Sequence, residues 1–198
     1  MRIPTAGWVV CAAAAPLLAA SDYPHYPSAR APAADAVHAA SIAGPGDTKV
    51  NQFVSYNAAA KTVAISITAA LNSAQGGFNF NGGSSGDQAI TVPLGWKIHI
   101  DVRNVDAIPH SAILITDQTP IPAAPSTPAF PRAYSDHLTD GLPAQTGHDS
   151  MDFTAAPAGN YLIACGVPGH APSGMYIKFV VSATAKAPTN TGTIATGT

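Results

Sequence analysis

The hydrophobic positions of this chain fall in short runs, and the clearest of them repeat every second residue. In KTVAISITAAL, Val63, Ile65 and Ile67 alternate with Ala64, Ser66 and Thr68. In WKIHIDVRN, Ile98, Ile100 and Val102 take one parity and Lys97, His99 and Asp101 the other. Successive side chains of a strand point to opposite faces, so period two predicts half-buried strands here. SAILITD, GNYLIAC and MYIKFVVS predict further short apolar strands, separated by turn signals such as NGG, PLG and PAG. The stretch from Thr119 to Gly147 is rich in proline and keeps no period, which predicts a long loop with at most one short helix. Short antiparallel strands around one long insertion predict an all-β sandwich.

Composition agrees with that class and narrows the function. The 198 residues include 17 Gly and 18 Pro; 46% are hydrophobic and only 10% charged, against roughly 25% charged in an average globular protein. The net charge of -2 offers no basic field for nucleic acid. Arg2 precedes an apolar, alanine-rich run from Ala6 to Ala20 that ends in small residues, the pattern of a secretory signal peptide. The run is shorter than the ~20 residues that span a bilayer, so residues 1–20 are expected to be a signal peptide or a short N-terminal anchor. Residues 21–47, rich in Ala, Pro and Ser, read as a linker, 48–182 as the domain, and 183–198 as a disordered tail. Cys11 lies in the leader, so cleavage would leave Cys165 as the single cysteine, with no intramolecular disulfide.

Cys165 opens the stretch CGVPGHAPSGM, which runs to Met175 and also holds His170. It is expected to join the strand GNYLIAC to the strand MYIKFVVS, with its glycines and prolines fixing the turns. Thiolate and thioether are soft ligands that suit copper, and imidazole suits it too. Two histidines and one cysteine in a plane, with a weak axial methionine, is the blue-copper arrangement. The second histidine is supplied by His110 in NVDAIPHSAILIT, where it opens an apolar strand. Taken singly, these residues read as a buried thiol, a surface histidine and a core methionine. Their coincidence on one inter-strand loop favours one copper ion held by His110, Cys165, His170 and Met175. Zinc is disfavoured because methionine is a poor ligand for it. A Cys–His nucleophile is disfavoured because nothing marks an oxyanion hole. His25 and His38 fall in the linker, His99 on a polar strand face, and His137 and His148 in solvated positions.

FNFNGGSSG (78–86), IPHS (108–111) and CGVPGHAPSGM together resemble sulfocyanin, a blue copper protein of the cupredoxin superfamily, and the ligand loop also resembles that of rusticyanin. The resemblance implies a cupredoxin-like Greek-key β-sandwich with the copper site at one end. It implies an exported, periplasmic or membrane-attached electron carrier of a respiratory chain, monomeric, working with redox protein partners and catalysing no reaction. It places FNFNG near the copper, where an asparagine could bond the ligand loop. Phe78 and Phe80 are expected to share a core-filling face. An exported copper-delivery protein is the alternative, and it would lack the strong thiolate-to-copper colour. The weak axial Met175, the apolar strands and a donor from Ser111 to the Cys165 sulfur all predict a high reduction potential.

Overall fold

The computed structural model describes residues 46–195. The expected leader and all of the expected linker except Gly46 and Asp47 lie outside these residues. Among the described residues no helix is long and apolar enough to cross a membrane. Ten strands follow in chain order: β1 (Thr48–Lys49), β2 (Val54–Asn57), β3 (Thr62–Ala69), β4 (Gln88–Pro93), β5 (Lys97–Asn104), β6 (Ile113–Thr116), β7 (His148–Thr154), β8 (Gly159–Ala164), β9 (Tyr176–Ser182) and β10 (Thr189–Gly192). They form two five-stranded sheets, ordered β1-β2-β3-β5-β7 and β10-β4-β9-β8-β6.

The sandwich is not wholly antiparallel. β3 pairs parallel with β5, and β4 parallel with β9. The physical reason is the path of the chain: β3 lies in one sheet, β4 in the other and β5 back in the first. Two crossings return the strand in its original direction. Alternation within a strand cannot report this, because it records faces and not neighbours.

The expected period-two faces are the inner faces. Val63, Ile65 and Ile67 of β3, and Ile98, Ile100 and Val102 of β5, are buried in the main core, with Ile90 and Val92 of β4 and Ile177, Phe179 and Val181 of β9. β7 adds Met151 and Phe153 to this core. Its sequence HDSMDFT alternates, a signal hidden by its position at the end of the proline-rich stretch.

That stretch contains no helix. It folds over the outer face of β6 and β8, where Ile121, Tyr134 and Leu138 pack on Ile113, Ile115, Leu162, Ala164 and Ala171. Both faces of β6 and β8 are therefore covered, which is why SAILI and YLIAC read as continuous apolar runs. Phe130 reaches further, into the main core, with its ring 4.6 Å from Tyr161 and 4.8 Å from Phe153, centroid to centroid.

The expected disordered tail is in part a strand. β10 pairs antiparallel with β4, from Thr189 opposite Thr91 to Gly192 opposite Gln88. Ala195 N–H then donates to the Asn81 carbonyl at 3.0 Å. β4 would otherwise present an open edge, and main-chain groups satisfy it. Low-complexity composition is blind to such pairing because the ladder is made by main-chain groups, joined by a side-chain bond from Gln88 Nε2 to Asn190 Oδ1 at 3.0 Å.

Candidate metal centre

Sheet register brings the three ligand segments to one end of the sandwich. β6 and β8 are antiparallel with Ile113 opposite Ala164, and Ala164 is in turn opposite Tyr176 of β9. The residues just before β6, just after β8 and just before β9 must therefore meet. These are His110, Cys165 and Met175.

The loop carrying His110 is set by Asn104, which is buried at the end of β5. Its Nδ2 lies within hydrogen-bond distance of the carbonyls of Ile108 (2.9 Å), Leu142 (3.0 Å) and Pro143 (3.2 Å), and its Oδ1 accepts from Asp106 N–H at 3.0 Å. From the other side, Leu142 N–H donates to the His110 carbonyl at 2.7 Å. The proline-rich insertion thus buttresses the site as well as the outer sheet.

The loop from Cys165 to Met175 closes on itself. Cys165 N–H donates to Met175 O at 3.0 Å, Met175 N–H to His170 O at 3.0 Å, and His170 N–H to Val167 O at 3.2 Å. Gly174 has a φ of +102°, and a Cβ there would lie 2.7 Å from Ser85 Oγ. Glycine is required both by the backbone conformation and by the close approach of the segment after FNFNG. Ser85 N–H donates to Gly174 O at 2.7 Å, Gln75 Nε2 to Ser173 O at 3.1 Å, and Gly169 N–H to Ala123 O at 2.7 Å.

His110, Cys165 and His170 form the one group of three metal-ligating His, Cys, Asp or Glu side chains among the described residues. His110 Nδ1 is 3.2 Å from His170 Nδ1, and Cys165 Sγ is 3.5 Å from His170 Nδ1 and 4.0 Å from His110 Nδ1. An ion about 2.0–2.3 Å from nitrogen and sulfur in a trigonal plane needs edges of about 3.5–3.8 Å. The triangle fits one such ion. Met175 is fully buried, and its main chain is bonded to Cys165 and His170, which keeps it beside the other three. His137 and His148 are exposed and outside this group, and His99 is bonded to Asp152.

The electrostatics favour a neutral thiol and a neutral His170 at the site. Burial pushes the Cys165 thiol up, although the Ser111 N–H donates to Sγ at 3.5 Å. The His170 imidazole is held below its ordinary value by burial first and then by the neighbouring His110. Asp106 Oδ2 accepts from His110 Nε2 at 2.8 Å, and this bond holds the Asp106 carboxyl below the usual range. A proton on His110 Nε2 would leave the Nδ1 lone pair facing His170 and Cys165. A buried thiolate at Cys165 is costly without a positive ion beside it.

Of the backbone and side-chain donors expected at Ser111, the backbone N–H reaches the sulfur and the hydroxyl is engaged elsewhere. The hydroxyl is 4.0 Å from Sγ, but it donates to Leu138 O at 2.6 Å and accepts from Gly166 N–H at 3.0 Å. The donors to sulfur are backbone groups, Ser111 N–H at 3.5 Å and Val167 N–H. The asparagines of FNFNG depart from expectation. Asn79 donates to Asn72 O and Ala74 O, while Asn81 accepts from Thr68 N–H and donates to Ser66 O. They brace β3 and their own turn, not the ligand loop. Phe80 is in the core, but Phe78 lies with its ring centroid 4.8 Å from that of His170 and 6.3 Å from that of His110. Asp106, Asn104 and Leu138 carried no sequence signal, since their contacts depend on loop geometry.

Two facing mixed sheets, with a His–Cys–His cluster between the strand ends, define a cupredoxin. The family profile described as "Sulfocyanin (SoxE) domain" matches residues 49–192. A sulfocyanin from Sulfolobus acidocaldarius is 32% identical over 142 residues, 67% of this chain and 70% of the relative. Among solved structures, reduced rusticyanin aligns with a TM-score of 0.43 at 23% identity over 62% of this chain and 85% of its own. Auracyanin A of Chloroflexus aurantiacus aligns with a TM-score of 0.41 at 26% identity over 61% and 99%. The chain belongs to the sulfocyanin family of blue copper electron carriers, whose members take one copper ion.

Proposed function

We propose that His110, Cys165, His170 and Met175 hold this copper. We further propose that the chain passes single electrons between redox proteins in an extracytoplasmic respiratory chain. The observation that carries the assignment is the triangle of 3.2, 3.5 and 4.0 Å edges among two imidazole nitrogens and one thiol sulfur. Bound copper supplies a one-electron couple between its cuprous and cupric states. The protein's own groups supply the rest. Cys165 gives up its proton from Sγ when the metal enters. Asp106 keeps the His110 proton on Nε2. The Ser111 N–H draws electron density from the sulfur, and the apolar strands beneath exclude water.

His170 is half-buried, and its neighbours Pro168 and Pro172 are exposed. Val105 and Ile108, near His110, are exposed at 41% and 43%. These apolar side chains form the face for redox partners, whose weak contacts are small enough for rapid exchange. No substrate is transformed there. The expected leader at residues 1–20 supports export, with attachment to the membrane if it is retained, and the carrier acts as a monomer.

The test is the visible spectrum of the copper-loaded protein. The wild type is expected to show a strong thiolate-to-copper band that bleaches reversibly on reduction. Cys165→Ser loses it, because a hydroxyl cannot replace the soft thiolate. His110→Ala weakens copper binding, while His137→Ala and His148→Ala keep the band. An intense band surviving in Cys165→Ser, or lost in the His137 or His148 variants but not in His110→Ala, overturns the assignment.

A further inference from the structure

One carboxylate at the site has no part in the ligand set. Asp106 Oδ2 sits 2.8 Å from His110 Nε2, and that imidazole has no exposed side-chain surface. The contact is built, not incidental. Asp106 N–H donates to Asn104 Oδ1 at 3.0 Å, its carbonyl accepts from Gln145 N–H at 2.8 Å, and its Oδ1 accepts from Ala107 N–H at 2.7 Å. One carboxylate oxygen is thereby spent on its own loop, and the other is aimed at the histidine. The space above is kept by Gly77, with φ of +94°, where a Cβ would come within 3.2 Å of Asp106 Oδ2.

We propose that Asp106 is the positioning residue of the copper site: it fixes the His110 ring and tautomer, and its charge favours the cupric over the cuprous state. An imidazole has one proton to place when neutral. A carboxylate at Nε2 takes that proton and leaves the Nδ1 lone pair facing Cys165 and His170. A neutral acceptor would do the same for orientation. Only a carboxylate adds a negative charge one ring away from the metal, and that charge stabilises the more positive ion more strongly. Asp106 therefore acts against the Ser111 N–H and the apolar shell, which favour the cuprous state. The potential reflects the balance of Asp106 against these two and Met175.

Two substitutions separate orientation from charge. Asp106→Asn removes the charge and, with its one amide oxygen turned to His110 Nε2 and the Ala107 N–H given up, keeps the acceptor, whereas Asp106→Ala removes charge and acceptor. The inference rests on His110 being a copper ligand, and one measurement is independent of that reading: the imidazole nitrogen spectrum of the copper-free full chain. In wild type and Asp106→Asn, His110 is expected to carry its proton on Nε2; in Asp106→Ala that preference is lost. Wild-type His110 protonated on Nδ1 would overturn the proposal even if the copper band is intact. In the loaded protein, Asp106→Ala should lose about 10–100-fold in cupric affinity. Asp106→Asn should lower the ratio of cupric to cuprous affinity about tenfold, which for one electron raises the potential by about 59 mV. An Asp106→Asn potential equal to wild type refutes the role of the charge. Should Asp106→Ala fail to fold, the Asn variant and the wild-type tautomer still decide.

Discussion

Ser111→Ala should destabilise the protein without much change in its reduction potential. The sequence leaves open whether the Ser111 hydroxyl or its backbone N–H tunes the Cys165 sulfur. The geometry assigns that work to the Ser111 backbone N–H at 3.5 Å, which alanine keeps. The hydroxyl instead joins Leu138 O and Gly166 N–H, at 2.6 and 3.0 Å, in a position with no exposed surface. Removing it leaves a part-buried acceptor and a buried donor unpaired. Each such group costs about 1–3 kcal/mol, and partial relaxation of the Leu138 loop brings the sum to about 2–4 kcal/mol. For a domain of this size each kcal/mol is worth about 2–4 °C in Tm, so a fall of roughly 5–15 °C is expected. The assay is urea unfolding of copper-free wild type and variant, since bound metal would add its own stabilisation. Voltammetry of the loaded pair completes it. A loss under about 0.5 kcal/mol, within the range of an ordinary surface change, would refute the buried-bridge reasoning. So would a potential shift approaching the ~59 mV of a tenfold affinity change.

Replacing Met175 with Gln, a stronger oxygen donor, should lower the potential while the cysteine and both histidines keep the metal; an unchanged or raised value in voltammetry would remove Met175 from the axial position. His99 lies 3.4 Å from Asp101 and 2.8 Å from Asp152 and is raised from 6.5 to about 9, chiefly by its bond to Asp101. A raised folded value means its stabilisation is whole below about pH 6.5 and is lost as the pH climbs through about 9. The side chain is 44% exposed, so the effect is under about 1 kcal/mol. Unfolding free energies at pH 6 and pH 9.5 should differ less in His99→Gln than in wild type, and equal differences would count against the ion pair.

The sequence by itself determined the strand faces and picked out the candidate ligands. Val63, Ile65 and Ile67 had to face inward because a pleated strand alternates, and the local spacing of CGVPGHAPSGM confines three donor types to one loop. His110 was legible because it opens an apolar run. Direction and neighbourhood were not legible. Nothing in β3 or β5 records that they lie parallel, since the pairing is made by main-chain groups common to every residue. For the same reason β10 was hidden in a low-complexity tail. The outer shell of the site was decided by tertiary structure alone. Asp106, Asn104 and Leu138 act through single atoms placed by loop closure: Asp106 on His110, Asn104 on Leu142 O of the insertion, and Leu138 on Ser111. Side-chain type can announce which atoms a metal prefers; the direction of one serine hydroxyl or one carboxylate oxygen depends on the packed fold around it.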